Sequence, residues 1–62
     1  MPMTPKQMEK LLIENGFRHV GGNGSHRKYV NDATGRRTIV PFHSKDLKKG
    51  LEQEILKQAG LK

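Results

Sequence analysis

Apolar residues near the start of the chain recur at helical intervals. Thr4, Pro5 and Gln7 form a start signal, because a threonine N-cap, a proline in the first turn and a glutamine three residues after the cap make a capping box. Gly16 then supplies a residue suited to a helix C-cap. The pattern predicts a helix over residues 5–15. Its inward stripe consists of Met8, Leu11 and Leu12.

The last segment of the chain has a similar pattern. Glu52 and Glu54 lie early in it and Lys57 lies late, which is the charge order that a helix dipole favours. Gly60 follows as a second candidate C-cap. These features predict a helix over residues 51–59. Its apolar stripe consists of Leu51, Ile55, Leu56 and Ala59.

Turn-forming residues divide the middle of the chain into short extended pieces. Glycine and asparagine fill residues 21–24, a second turn signal occupies residues 31–35, and Pro41 follows the third piece. Three strands are predicted, near residues 17–20, 25–30 and 36–40. Successive strand side chains point to opposite faces of a sheet, so we expect His26 and Lys28 to share one face.

Two apolar helices and one short antiparallel sheet can share a core only if both helices lie on the same face of the sheet. The sequence therefore predicts an α+β fold, an α-β-β-β-α two-layer sandwich whose three-stranded sheet has one wet face. This element order occurs in double-stranded-RNA-binding domains, although an element order alone does not define a function. At 62 residues we expect a single domain spanning residues 1–62.

The net charge of +6 comes entirely from the middle of the chain. Residues 1–16 and 51–62 are each neutral, whereas residues 17–50 carry eight lysines and arginines against two aspartates. Basic charge concentrated in this way is the electrostatic footprint of a polyanion partner, most often a nucleic acid.

Other function classes are disfavoured by what the chain lacks. It contains no cysteine, which excludes disulfides and thiolate metal sites. The basic region offers only Asp32 and Asp46, whereas two-metal nucleases need clustered carboxylates, so neither a metal nor another cofactor is expected. No apolar run approaches the length of a membrane span. We therefore expect a soluble, cytoplasmic protein without a membrane partner.

The strongest candidate for chemistry is His26. Imidazole has an ordinary pKa of about 6.5, which suits proton transfer near neutral pH. It follows Gly24 and Ser25, and the adjacent cations Arg27 and Lys28 could neutralise a phosphate. A solvent-facing histidine without any role is the competing interpretation. The remaining histidines, in order of expected relevance, are His43 and His19.

Several short runs occur along nearly the whole chain in a specific order and spacing. They are LLIENGF at 11–17, GSHRKY at 24–29, VPFH at 40–43, KG at 49–50 and ILKQAGL at 55–61. By these runs the chain resembles the HicA family. The resemblance implies a toxin of a type II toxin–antitoxin pair, an mRNA-cleaving enzyme of the double-stranded-RNA-binding fold that a HicB-type antitoxin neutralises. It also implies that His26 is the catalytic histidine and that a second family histidine falls on His43.

The leading hypothesis is a metal-independent ribonuclease in which His26 acts as general base or acid on the ribose 2′-hydroxyl. Expected contacts to RNA are Gly24, Ser25, Arg27, Lys28, Arg36 and Lys45, with His43 as a possible auxiliary residue. A non-catalytic RNA-binding module is the first alternative. A small adaptor whose basic face docks on an acidic protein is the second.

Overall fold

The computed structural model of the chain describes residues 3–42 and 46–62. Five elements follow one another in the predicted α-β-β-β-α order. They are α1 (Pro5–Glu14), β1 (Phe17–Gly21), β2 (His26–Asn31), β3 (Arg36–Pro41) and α2 (Lys49–Gln58). The predicted order and the predicted α+β class are therefore confirmed.

Helix α1 begins with the capping box that the sequence predicts. The Gln7 backbone N–H donates to Thr4 Oγ1 at 3.1 Å, and the Thr4 backbone N–H donates to Gln7 Oε1 at 2.9 Å. Two backbone donors at the helix start are thereby satisfied. The helix ends at Glu14, one residue before the predicted end, because Asn15 is the C-cap and Gly16 turns the chain with a φ of 91°.

Helix α2 begins at Lys49, two residues earlier than predicted. Its N-cap, Lys48, makes no side-chain capping hydrogen bond, which explains why the sequence carries no start signal there. The predicted glycine ending is present. The Leu61 N–H donates to the Leu56 carbonyl at 2.9 Å and the Gly60 N–H donates to the Lys57 carbonyl at 3.1 Å, the hydrogen-bond pair of a Schellman motif.

The three strands form an antiparallel sheet in the order β1-β2-β3. Across β2 and β3, His26 pairs with Pro41, Lys28 with Ile39, and Val30 with Arg37. The turn between these strands is fixed by Asn31, whose side-chain oxygen accepts hydrogen bonds from the next backbone N–H groups at Ala33 and Thr34.

Both helices pack on the same face of this sheet, as predicted. The buried apolar core consists of Met8, Leu12, Phe17, Tyr29, Val40, Leu47, Ile55 and Ala59. The other sheet face, which we call the open face, is formed by Arg18, Val20, His26, Lys28, Val30, Arg37, Ile39 and Pro41. No helix in the described part of the chain is both long and apolar enough to cross a bilayer.

Candidate functional site

His26 is the first residue of β2 and is held from two sides. Its backbone N–H donates to the Asn23 carbonyl at 3.0 Å, which closes the glycine-rich turn before the strand. On the other side, the Phe42 N–H donates to the Ser25 carbonyl at 2.7 Å. The imidazole is therefore presented where a tight turn meets the end of β3, on the exposed side of the sheet.

Lys28 is the residue that the structure brings to the same face as His26. It lies two residues further along β2, opposite Ile39 of β3. A two-residue step along a strand separates the backbone positions of His26 and Lys28 by about 7 Å. His26 and Lys28 therefore lie on the same face of the sheet, as predicted.

Arg27 points to the opposite side of the sheet, toward the helices. Its Nη1 lies 3.3 Å from Glu9 Oε2 of α1. Its guanidinium carbon lies 4.2 Å from the centroid of the Phe42 ring, a cation–π distance. The structure therefore places Arg27 between α1 and the segment after β3, away from His26 and Lys28.

Tyr29 completes the contacts of Glu9. Its hydroxyl donates a hydrogen bond to Glu9 Oε2, the same oxygen that Arg27 contacts. Burial of the phenol raises the pKa of Tyr29 above its ordinary value, and the hydrogen bond to the Glu9 carboxylate raises it further. The His19 ring lies on the same side, 5.4 Å from the Tyr29 ring. These contacts tie β2 to α1 beneath the open face.

Arg36 also lies on the helical side. Its Nη1 donates to the Gln58 carbonyl at the end of α2 at 3.4 Å, where a cation stabilises the helix dipole. Gly60 is close beneath it, since a Cβ carbon at that position would come within 2.7 Å of Arg36 Nε. Arg36 therefore does not join His26 and Lys28.

The remaining predicted site residues have two different outcomes. Gly24 lies in the turn before β2 with a φ of 58°, and nothing lies within 4 Å of the position that a Cβ would take. Ser25 is exposed and contributes its carbonyl to the Phe42 hydrogen bond. His43 and Lys45 lie outside the described residues.

Arg37 is an open-face cation that was not among the RNA contacts predicted from the sequence. The register of β2 and β3 places it opposite Val30 and diagonal to Lys28, at a Cβ separation of about 7 Å. Alternation along β3 identifies it only once the face of one residue is known, because if Arg36 faces the helices, Arg37 must face outward with His26.

A groove of about 1000 Å³ opens beside these side chains. Its lining includes His26, Lys28, Arg37 and Ile39 of the sheet and Leu51 and Glu54 of α2. At the other end of the open face, Arg18 Nε lies 2.7 Å from Asp32 Oδ2. Hydrogen bonding to Arg18 lowers the pKa of the Asp32 carboxyl. Arg18 is therefore engaged by a carboxylate.

The fold and the site define a small basic domain that has the element order of double-stranded-RNA-binding domains and a histidine on the open face of its sheet. A family model described as "HicA toxin of bacterial toxin-antitoxin" matches residues 5–61. The chain therefore belongs to the HicA toxin family, and its role is that of a toxin in a toxin–antitoxin system. A comparison with curated proteins gives no match. Within residues 3–42 and 46–62, no three acidic or histidine side chains lie together as a metal site requires.

Proposed function

We propose that this toxin is a metal-independent endoribonuclease that cleaves mRNA with His26 and is neutralised by a HicB-type antitoxin. The observation that carries the proposal is the position of His26. It heads β2 on the open face of the sheet, beside a groove that Lys28 also lines. Membership of the HicA toxin family supports a lethal activity for this chain.

The chemistry uses a nucleophile that RNA itself supplies. His26 accepts the proton of a ribose 2′-hydroxyl, and the 2′-oxygen attacks the adjacent phosphorus. The bond from phosphorus to the 5′-oxygen breaks, and that oxygen takes up a proton from the imidazolium or from water. The products are a 2′,3′-cyclic phosphate and a 5′-hydroxyl. Lys28 stabilises the charge that develops on the phosphate.

The other predicted site residues take different parts in this proposal. Gly24 and Ser25 form the turn over which the RNA backbone reaches His26, and the absence of a side chain at Gly24 keeps that approach open. Arg27 holds the start of β2 through Glu9 and Phe42 rather than contacting the phosphate. His43 and Lys45 follow β3 in the chain and are proposed as auxiliary and RNA-binding residues.

The test uses the same substitution on the two faces of the sheet. His26→Gln removes the imidazole from the open face, while His19→Gln removes one that contacts Tyr29 on the helical side. Purified variants are compared on a labelled single-stranded RNA in the presence of EDTA. We expect His26→Gln to cut at least about 10²-fold more slowly, with His19→Gln close to the parent chain. The parent should leave cyclic phosphate ends and should not cut a substrate with deoxyribose at the scission site.

Two results would contradict the proposal. Undiminished cleavage by a folded His26→Gln protein would remove the histidine from the mechanism. A parent protein that binds RNA and never cuts it, in vitro or when expressed in cells, would leave the non-catalytic RNA-binding module as the function.

A further inference from the structure

The cations of the folded chain differ in whether they are engaged by other residues. Arg18 contacts Asp32, Arg27 contacts Glu9, and Arg36 donates to the carbonyl at the end of α2. By contrast, neither Lys28 nor Arg37 makes a side-chain hydrogen bond or an ion pair with any residue in the ranges 3–42 and 46–62. The two uncommitted cations of the sheet both lie on the open face.

These two side chains continue a line that starts at His26. Lys28 follows His26 by two residues on β2, a step of about 7 Å. Arg37 lies on β3 diagonal to Lys28, again about 7 Å away between Cβ atoms. The line therefore crosses the sheet from the turn before β2 to the start of β3, in steps that the backbone of one nucleotide can bridge.

Apart from the imidazole of His26, no residue that forms the open face has an aromatic side chain. The three phenylalanine and tyrosine residues of the chain are Phe17, Tyr29 and Phe42. The first two are buried in the core, and Phe42 lies beneath the Arg27 guanidinium. Aromatic stacking is the usual source of base contacts on single-strand-binding surfaces. Among the open-face residues that the structure describes, the large exposed apolar side chains are Val20 and Ile39, and both are aliphatic.

We propose that a single RNA strand crosses the open face from His26 over Lys28 to Arg37, and that this path reads the phosphate backbone rather than the identity of the bases. The inference rests on the proposed function, because the scissile phosphate is placed at His26. It adds the path of the substrate, a second phosphate-binding residue and the class of nucleic acid. Domains that bind duplex RNA instead contact two successive minor grooves over about 16 base pairs, which one short line of cations does not match.

The experiment measures binding without cleavage. A labelled single-stranded RNA of mixed sequence is titrated with His26→Ala protein at several salt concentrations, and Lys28→Ala and Arg37→Ala are added to that background. The matched control is Lys10→Ala, which removes the same charge from the exposed side of α1. We expect Lys28→Ala and Arg37→Ala each to reduce the log–log salt slope by about 0.7 and the affinity by about fourfold at physiological salt. Lys10→Ala should do neither.

Arg37→Lys keeps the charge and should keep the salt slope, so it distinguishes the loss of a phosphate contact from a folding defect. The remaining measurements test the class of substrate. Homopolymers of different bases should bind within a few-fold of one another, and a duplex of the same length should bind more weakly than the single strand. An unchanged slope in Arg37→Ala, an equal loss in Lys10→Ala, tighter duplex binding or strong preference for one base would each overturn the proposed path.

Two outcomes distinguish an error in the RNA path from an error in the proposed ribonuclease function. If the parent protein cleaves RNA and Arg37→Ala does not change RNA binding, the ribonuclease function stands and the proposed path is wrong. If Lys28→Ala and Arg37→Ala reduce the salt slope of RNA binding but the parent protein does not cleave RNA, the path is supported and the ribonuclease function is wrong.

Discussion

Gly22 lies directly against the backbone of His26. A Cβ carbon at Gly22 would come within 1.9 Å of the His26 carbonyl oxygen, and the φ of Gly22 is 149°, where a side chain is strained in any case. The turn can therefore present His26 at the start of β2 only because residue 22 has no side chain. The close contact is with backbone atoms, so it cannot be relieved by rotating a side chain.

Gly22→Ala should consequently destabilise the fold and displace His26. The matched control is Gly35→Ala in the turn between β2 and β3, where φ is also positive, at 74°, but nothing lies within 4 Å of the added carbon. Backbone strain alone costs about 1–2 kcal/mol, and we expect overpacking to add about 1–3 kcal/mol at Gly22 only. Urea unfolding of both variants measures the difference. Equal destabilisation would mean that the contact with His26 has no energetic consequence.

The pKa of Tyr29 leads to a prediction about high pH. Burial and the hydrogen bond to Glu9 hold the folded pKa above the ordinary value of 10.0. The unfolded chain therefore loses the phenol proton first, so the contribution of Tyr29 to stability is full below pH 10 and declines as the pH rises toward the folded pKa. Tyr29→Phe should abolish this decline. Because the chain has one tyrosine and no tryptophan, ultraviolet absorbance of the phenolate reports on Tyr29 alone.

In the same titration, Glu9→Gln should bring the phenol pKa closer to its ordinary value, since it removes the carboxylate while keeping a side chain of similar size. The remaining elevation measures the effect of burial. A Tyr29 that titrates like a free phenol in the folded parent protein would contradict both contacts.

The helices were predictable from the sequence because their ends carry chemistry that acts locally. Thr4 and Gln7 specify the start of α1, and Gly60 specifies the end of α2, through hydrogen bonds to nearby backbone groups. The start of α2 was misplaced by two residues because Lys48 caps it without a side-chain hydrogen bond. Without a capping side chain, the sequence carries no local signal that marks this boundary.

The faces of β3 could not be assigned in the same way. Ile39 and Val40 are adjacent apolar residues, so hydrophobicity does not say which of them points inward. The structure buries Thr38 to 3% exposure and leaves Ile39 45% exposed. Burial of the threonine is possible because its hydroxyl donates to Gln58 Oε1 at 2.8 Å. With Thr38 facing the helices, alternation along β3 also places Arg36 on the helical side and Arg37 outward.

Arg27 and Lys28 should separate stability from RNA binding. Arg27→Ala removes the contacts with Glu9 and the Phe42 ring, and we expect it to lower the unfolding free energy by about 1 kcal/mol, because an exposed cation–π contact and a surface ion pair are each weak. Its salt slope for RNA binding should stay unchanged. Lys28→Ala should leave stability unchanged and reduce the slope. Thermal melts and anisotropy titrations of both proteins give the comparison, and a reversed pattern would place Arg27 on the RNA.

The antitoxin should compete with RNA for the open face. This face combines the uncommitted cations Lys28 and Arg37 with the exposed aliphatic side chains Val20 and Ile39, so an acidic partner can cover His26 while it pairs the cations and buries the aliphatic groups. Lys28→Glu places a like charge against that partner, and we expect it to weaken antitoxin binding by at least about tenfold. Lys10→Glu on α1 is the control of equal charge change.

Hydrogen exchange of the complex should show protection in β2 and β3, and antitoxin should displace labelled RNA from the His26→Ala protein. A ternary complex of toxin, RNA and antitoxin, or equal weakening by Lys10→Glu, would show that inhibition does not occur by covering the site.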